Sequence, residues 1–185
     1  MVIMGAGGLG LNATAMAKDM GADRVIVLDR LENRLQLAEE FGAGYTINIE
    51  EFNTPETRVQ RVKELTNGRG ADVVMELVGH AELLAEGIDM LGNGGTFVEI
   101  GDIVRGREVS IDPSKLLAGK SIVGSLMYRP DLLPTLLDFL VRNQDKLPFH
   151  KIISHKFPLA DVNEAFPQAE WNARQTDITR AMLVP

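Results

Sequence analysis

Three glycines near the start of the chain have the residue type and spacing to bind a phosphate group. Gly5, Gly7 and Gly10 follow four apolar residues in the pattern G-x-G-x-x-G. In that pattern the first glycine permits a tight turn, the second lets backbone amides approach a pyrophosphate, and the third lets the next helix pack closely. The helix N-terminus then binds the anion through its unpaired amides and the positive end of its dipole.

The residues around these glycines predict a strand, a turn, a helix and a second strand. A helix is expected from the third glycine to a stop at Gly21, and its apolar stripe consists of Leu9, Ala13, Met16, Ala17 and Met20. A buried strand over residues 24–28 then ends on Asp29, about 20 residues beyond the loop. A carboxylate there accepts both ribose hydroxyls of NAD and repels the 2′-phosphate of NADP. The pattern therefore predicts NAD as the cofactor.

The loop from Gly5 to Gly10, with Leu11 after it and then Asp29, resembles the coenzyme-binding half of the zinc-type medium-chain alcohol dehydrogenases. That family includes sorbitol and threonine dehydrogenases, and the resemblance runs through the whole chain. It implies an oxidoreductase that transfers a hydride between a small-molecule alcohol or carbonyl and NAD. It also implies that the zinc ligands and the proton relay belong to an upstream domain. We therefore expect no catalytic residue in this chain, and no activity from it alone.

The resemblance further implies which residues contact the coenzyme. These are Gly5, Gly7, Gly8, Leu9 and Gly10 in the loop; Asp29, Arg30 and Arg34 near the adenosine; Val78, Gly79, Ile100, Gly101 and Asp102 at two strand ends; Ser125 and Met127 on the sixth strand; and Arg180. The two strand ends also follow from the rule that ligands of open α/β sheets bind outside the carboxyl ends of strands. Asp102 departs from the apolar residue often found there. Ordinary strand termination by glycine and solvated arginines are the alternative explanations.

Strands and helices alternate about six times along the chain, which predicts an α/β fold with a doubly wound parallel sheet. By analogy with the Rossmann fold, the expected strand order is 3-2-1-4-5-6. Residues 1–149 form the predicted NAD-binding domain. Residues 150–185 form a C-terminal segment that in the resembled family returns to the catalytic domain. We expect it to contain an extended piece, a helix over 158–170 and a strand over 181–184, and to lie on this domain or pair with another molecule.

Composition excludes several classes of partner. The 185 residues carry a net charge of -7, which argues against nucleic acid and anionic membranes. The absence of cysteine excludes disulfides, and His80, His150 and His155 form no ligand pair at i+2 or i+4, so no metal site is expected. No signal peptide is apparent, so a cytoplasmic protein is expected. The first strand is short, and we expect Met1 to lie near the boundary of a fragment.

Two other functions remain open. One is a zinc-free quinone or enoyl reductase of the same superfamily, although such enzymes usually prefer NADP, against which Asp29 argues. The other is a free-standing NAD-binding module without catalysis. A homo-oligomer is also expected through a sheet edge, with an extended piece at residues 108–111 and the predicted sixth strand at 121–127 as the candidates.

Overall fold

The computed structural model describes residues 1–101, 106–169 and 178–185. Within them, one sheet contains six parallel strands: β1 (Val2–Met4), β2 (Ile26–Asp29), β3 (Tyr45–Asn48), β4 (Ala71–Glu76), β5 (Leu91–Glu99) and β6 (Ser121–Gly124). The α-helices are α1 (Gly8–Asp19), α2 (Glu32–Glu40), α3 (Pro55–Leu65), α4 (Leu83–Met90), α5 (Leu133–Asn143) and α6 (Val162–Ala169). The strand order is β3-β2-β1-β4-β5-β6, which confirms the predicted doubly wound sheet.

Alternate residues of the strands supply two hydrophobic cores, one on each face of the sheet. On β1, Val2 and Met4 belong to the core that also contains Val62 of α3, whereas Ile3 belongs to the core that contains Leu11 of α1. Phe139 of α5 joins this second core. Because both faces are covered, β1 is entirely apolar and β4 is apolar except for Asp72 and Glu76, as expected of buried parallel strands.

Helix α3 begins at Pro55, and the preceding Thr54 is a residue type that favours the N-cap position. The Thr54 side chain accepts a hydrogen bond from the Thr57 amide, the Thr57 hydroxyl accepts one from the Thr54 amide, and Pro55 occupies the first helical position. This reciprocal arrangement satisfies two amides that a helix start leaves unpaired. One turn further on, Arg58 forms a two-point ion pair with Glu86 of α4 at 2.7 Å for both bonds. Both side chains are nearly buried, so the pair fixes α3 against α4.

The sixth strand is shorter than predicted. It ends at Gly124, so Ser125 and Met127 lie in the loop that follows and not on the strand. The Ser125 amide still donates to the Glu99 carbonyl at 2.9 Å, but Met127 adopts a left-handed backbone with φ of 64°. That conformation is incompatible with an extended strand.

The extended piece expected at residues 108–111 forms no strand within the chain, and its pairing with another molecule stays a prediction. The position beside β5 is occupied by β6, in register from Thr96 opposite Ser121 to Glu99 opposite Gly124. The preceding chain instead leads into a short 3-10 helix, Pro113–Leu116, which the Asp112 carboxylate caps by accepting from the Ser114 amide.

The C-terminal segment forms a small unit of its own. Strand β7 (His155–Pro158) pairs in parallel with β8 (Ala181–Val184), and α6 packs against both. The predicted last strand is therefore confirmed, while the predicted helix is shorter and runs from Val162 to Ala169. In the part of the chain that the structure describes, no helix is both long and apolar enough to cross a membrane.

Candidate nucleotide-binding crevice

A crevice of about 680 Å³ opens at the carboxyl ends of the sheet strands. One wall is the glycine-rich turn between β1 and α1, and the opposite wall comes from α6 and the residues just before β8. Its volume lies in the range of about 300 to 1,000 Å³ that is usual for sites binding small molecules and cofactors. The crevice lies where the strand order reverses between β1 and β4, as expected for ligands of doubly wound sheets.

The glycine turn has two positions that only glycine fits and one that is open. Gly5 has φ of 102°, and a methyl group at Gly10 would lie 1.8 Å from the Gly5 carbonyl oxygen. Those two glycines therefore shape the turn and the close approach of α1. Gly7 is different, because its φ is -72° and no atom would lie within 4 Å of a methyl group there. The space above Gly7 is thus available to a ligand that approaches the backbone.

Asp29 ends β2 with its carboxylate held between two turns. One oxygen, Oδ2, accepts from the Ala6 amide at 2.7 Å, and the other, Oδ1, accepts from the Leu31 amide at 3.0 Å. Asp29 also lines the crevice. Since each carboxylate oxygen can accept more than one hydrogen bond, the group retains capacity for hydroxyl donors of a ligand.

Two arginines face the crevice from opposite walls. The Nη2 atom of Arg34, on α2, donates to the Ile178 carbonyl at 2.6 Å, and its Nε is buried without a hydrogen-bond partner among the described residues. Arg180 lies over the N-terminus of α1, where a methyl group at Gly8 would be 3.0 Å from Nη2 of Arg180. A guanidinium beside a helix N-terminus produces a strongly anion-attracting position.

Glu76 is a buried carboxyl group beneath the crevice floor. Its side chain is fully shielded from solvent, and Oε1 accepts from the amides of Val78 and Gly79 at 2.7 and 2.8 Å. Burial raises the pKa of Glu76 to about 7; the two amide hydrogen bonds oppose this shift, and the Glu99 carboxyl, in register on β5, adds to it. Glu76 therefore supports the turn that follows β4 and titrates near neutral pH.

Comparison with known proteins agrees with this geometry. The family described as zinc-binding dehydrogenase matches residues 8–142. The chain belongs to the zinc-binding dehydrogenase family. It is 35% identical over 165 residues to an erythritol/L-threitol dehydrogenase of Mycolicibacterium smegmatis, covering 89% of this chain and 43% of that protein. It is 32% identical over 164 residues to an L-threonine 3-dehydrogenase of Bacillus subtilis, covering 89% of this chain and 46% of that protein.

A solved structure shows that the shape is shared as well. An alcohol dehydrogenase from Thermotoga maritima superposes with a TM-score of 0.87 at 32% identity, covering all of this chain and 49% of that one. The chain thus spans about half the length of the zinc-binding dehydrogenases that it matches. The family resemblance read from the glycine loop and Asp29 is confirmed.

Most residues that the resemblance implies as coenzyme contacts come together in the crevice. Those that line it are Gly5, Gly7, Gly8, Leu9, Asp29, Arg34, Val78, Ile100, Gly101 and Arg180. Those that do not line it are Gly10, Arg30, Gly79, Ser125 and Met127. Asp102 lies outside the described residues. Gly10 and Gly79 act on the shape of the turns, whereas Arg30, Ser125 and Met127 remain predictions at the margin of the site.

In the wall formed by the C-terminal segment, only Arg180 was predicted as a site residue. The other residues of the segment that line the crevice are Ala165, Phe166, Ala169, Ile178, Thr179, Ala181 and Leu183. The spacing of Ala165, Phe166 and Ala169 on one face of α6 is the signal that could have indicated a packed or ligand-facing surface. Among the described residues, no group of three or more His, Cys, Asp and Glu side chains could hold a metal ion.

Proposed function

We propose that this chain is the coenzyme-binding part of an NAD-dependent, zinc-type alcohol or polyol dehydrogenase. The observation that carries the proposal is the Asp29 carboxylate, fixed by the Ala6 and Leu31 amides at the edge of the crevice. Its place after β2 suits the ribose hydroxyls of the adenosine half of NAD. The erythritol/L-threitol and threonine dehydrogenases among its relatives indicate a small hydroxylated substrate for the complete enzyme.

The residues of the crevice fit this coenzyme along its length. The open backbone at Gly7 and the N-terminus of α1 would receive the pyrophosphate, with Arg180 closing over it. Leu9, which is 57% exposed on the first turn of α1, would support the nicotinamide half together with Val78 and Ile100. When bound, the coenzyme would supply hydride chemistry, and these residues would orient it and exclude water. We place the zinc that polarises the substrate oxygen outside this chain, as the family resemblance implies.

A titration of the chain with NADH and NADPH tests the coenzyme assignment. We expect NADH to bind at least about tenfold more tightly, because the Asp29 charge opposes a 2′-phosphate. Asp29→Ser should reduce that preference by weakening NADH binding and strengthening NADPH binding. Equal or tighter binding of NADPH by the unaltered chain would overturn the assignment and favour the quinone or enoyl reductase alternative.

Gly7→Ala provides a test that does not depend on Asp29. The backbone conformation and free space at Gly7 accommodate a methyl group, so the thermal midpoint should remain unchanged, while NADH affinity falls by about tenfold because the methyl occupies the approach to the backbone. Gly44→Ala is the matched control, since its methyl would meet only the Val25 carbonyl oxygen at 3.8 Å, far from the crevice. Unaltered NADH binding by Gly7→Ala would contradict a pyrophosphate at this turn.

We propose that the chain alone binds NADH without oxidising alcohols. An assay of NAD reduction with polyols and threonine should give no rate above background for the chain, and a rate for the complete enzyme. The intact mass of the protein in an extract of its native source distinguishes a dehydrogenase from a free-standing binding module. A mass near 20.3 kDa would favour the module, and a considerably larger one a dehydrogenase.

We also propose that two copies of the chain pair along β6. In the described structure β6 is an edge strand, and Ile122 and Val123 on it are 42% and 48% exposed. An open edge with apolar side chains favours pairing with another strand. Light scattering should show a dimer that Ile122→Lys dissociates, and a monomer at high concentration would contradict the pairing.

A further inference from the structure

The residues just before β8 are held by hydrogen bonds from two different parts of the chain. Arg34 of α2 binds the Ile178 carbonyl at 2.6 Å, and Ser154, just before β7, binds the next two residues. The Ser154 hydroxyl oxygen accepts from the Thr179 amide at 2.9 Å and lies 3.4 Å from the Arg180 amide. The Ser154 amide donates to the Arg180 carbonyl at 3.0 Å. Ser154 thus contacts the backbone amides of Thr179 and Arg180 and the backbone carbonyl of Arg180.

This arrangement determines where the Arg180 side chain projects. The segment lines the crevice opposite the glycine turn, and the Arg180 guanidinium ends beside Gly8 at the start of α1. Arg180 forms no ion pair with any of the described residues. A long, unpaired cation loses side-chain freedom when it binds an anion, so holding its backbone in place reduces that cost.

We infer that Ser154 is a positioning residue for the coenzyme, acting through Arg180 by fixing the backbone from which its guanidinium reaches the pyrophosphate. The inference rests on the proposed NAD site. It assigns a specific role to a residue that does not line the crevice, and which neither its type nor its spacing in the sequence distinguishes. Arg34 holds the same segment through its hydrogen bond to the Ile178 carbonyl, on the adenosine side of the crevice.

A double-mutant cycle on NADH binding to the chain tests this role. Ser154→Ala should weaken NADH binding about fivefold, a modest factor because water can replace part of an exposed hydrogen bond, and Arg180→Ala should weaken it about tenfold or more. If Ser154 acts through Arg180, Ser154→Ala should have no further effect in the Arg180→Ala background. Ser154→Thr, which keeps the hydroxyl, should restore binding to within about twofold. Ser110→Ala is the matched control, because Ser110 is exposed and does not line the crevice.

Cleavage by trypsin after Arg180 gives a readout that needs no coenzyme. Release of residues 181–185 requires the segment to detach locally, so Ser154→Ala should accelerate it, and Ser154→Thr should not. Additive losses in the cycle, or unchanged cleavage in Ser154→Ala, would overturn the inference. Failure of the unaltered chain to bind NADH would overturn the proposed NAD site and the coenzyme role of Ser154 together, whereas normal NADH binding with no Ser154 effect would overturn only the latter.

Discussion

The two regions on either side of residues 102–105 differ in how many of their apolar side chains are buried. Residues 1–101 supply nearly all of the buried core, and the large hydrophobic side chains they expose are Leu9, Met20 and Tyr45. Residues 106–169 and 178–185 bury Phe139, Ala165 and Ile178, yet expose many large apolar side chains on β6, α5, α6 and β8. The first region buries most of its apolar side chains, and Phe139 and Phe149 from the second region complete one of its two cores. The second has surfaces of the kind that another domain or another copy covers.

That contrast agrees with the proposed place of the chain in a longer, paired enzyme. Strand β6 and helix α5 carry exposed leucines and valines beside the open sheet edge, and the β7–β8 unit carries exposed Phe166 and Leu183 near the crevice. In the proposed enzyme, these surfaces would contact the catalytic domain or a second copy of the chain. The glycine turn, by contrast, lies entirely within the first region.

Loss of the Arg58–Glu86 ion pair is among the largest expected effects, and it tests how α3 and α4 pack within the first region. Arg58→Ala leaves the nearly buried Glu86 carboxylate without its partner, and we expect the free energy of unfolding to fall by about 3 kcal/mol. Urea denaturation measures it. Arg61→Ala on the same helix removes an exposed i,i+3 pair with Glu64 and should cost no more than about 0.5 kcal/mol. Equal losses in the two variants would contradict the assigned burial.

Helix α5 allows the contrast to be tested within one element. Phe139 packs edge-on against Phe149 with ring centroids 6.0 Å apart, so Phe139→Ala should destabilise the chain by about 3 kcal/mol. Leu137, two residues earlier, is 61% exposed, and Leu137→Ala should change the unfolding free energy by less than about 0.5 kcal/mol. A large loss in Leu137→Ala by urea denaturation would show that this surface is already covered in the isolated chain.

The raised pKa of Glu76 predicts a pH dependence of stability. The folded protein binds the Glu76 proton more tightly than the unfolded chain, so this group's contribution is full below about pH 4.5 and is lost as the pH rises toward about 7. Glu76→Gln keeps an oxygen for the Val78 and Gly79 amides but carries no charge. Relative to the unaltered chain, it should therefore be more stable at pH 8 than at pH 5 by about 2 kcal/mol.

Urea denaturation at the two pH values measures this difference. Glu50→Gln, on an exposed loop, is the matched control and should show no such change. If the stability difference between Glu76→Gln and the unaltered chain were the same at pH 5 and pH 8, Glu76 would not be the titrating group.

The smallest predicted effect concerns the start of α3. Thr54→Ala removes the side-chain acceptor of the Thr57 amide and one half of the reciprocal cap, which should cost about 1 kcal/mol in urea denaturation. Thr54→Ser, which keeps the hydroxyl, should retain most of that stability. A loss of similar size in Thr54→Ser would show that the methyl group, and not the cap, stabilises this turn.

The parts of the fold that could be predicted from the sequence are those with local causes. Thr54 and Pro55 marked the start of α3, the alternation of strands and helices marked the parallel sheet, and the glycine spacing with Asp29 marked the crevice. The end of β6 was predicted too late, although Gly124 and Ser125 interrupt the apolar run of residues 121–127 where the strand ends. The extended piece expected at residues 108–111 is not a strand of the sheet, and the position beside β5 is occupied by β6.

The sequence by itself determined the sheet, the family and the side of the crevice built on β1 and β2, since nearby residues in the chain specify strand, turn and helix through short-range sterics and hydrogen bonding. Apart from Arg180, which the family resemblance implied, only the tertiary structure decided the opposite wall. Arg180 meets Gly8 and Ser154 meets Thr179 across separations that no periodicity spans, and Glu76 became a neutral-pH titrating group only because folding removed it from water. Such contacts depend on how the helices and strands pack against one another, and that packing is determined by the whole chain.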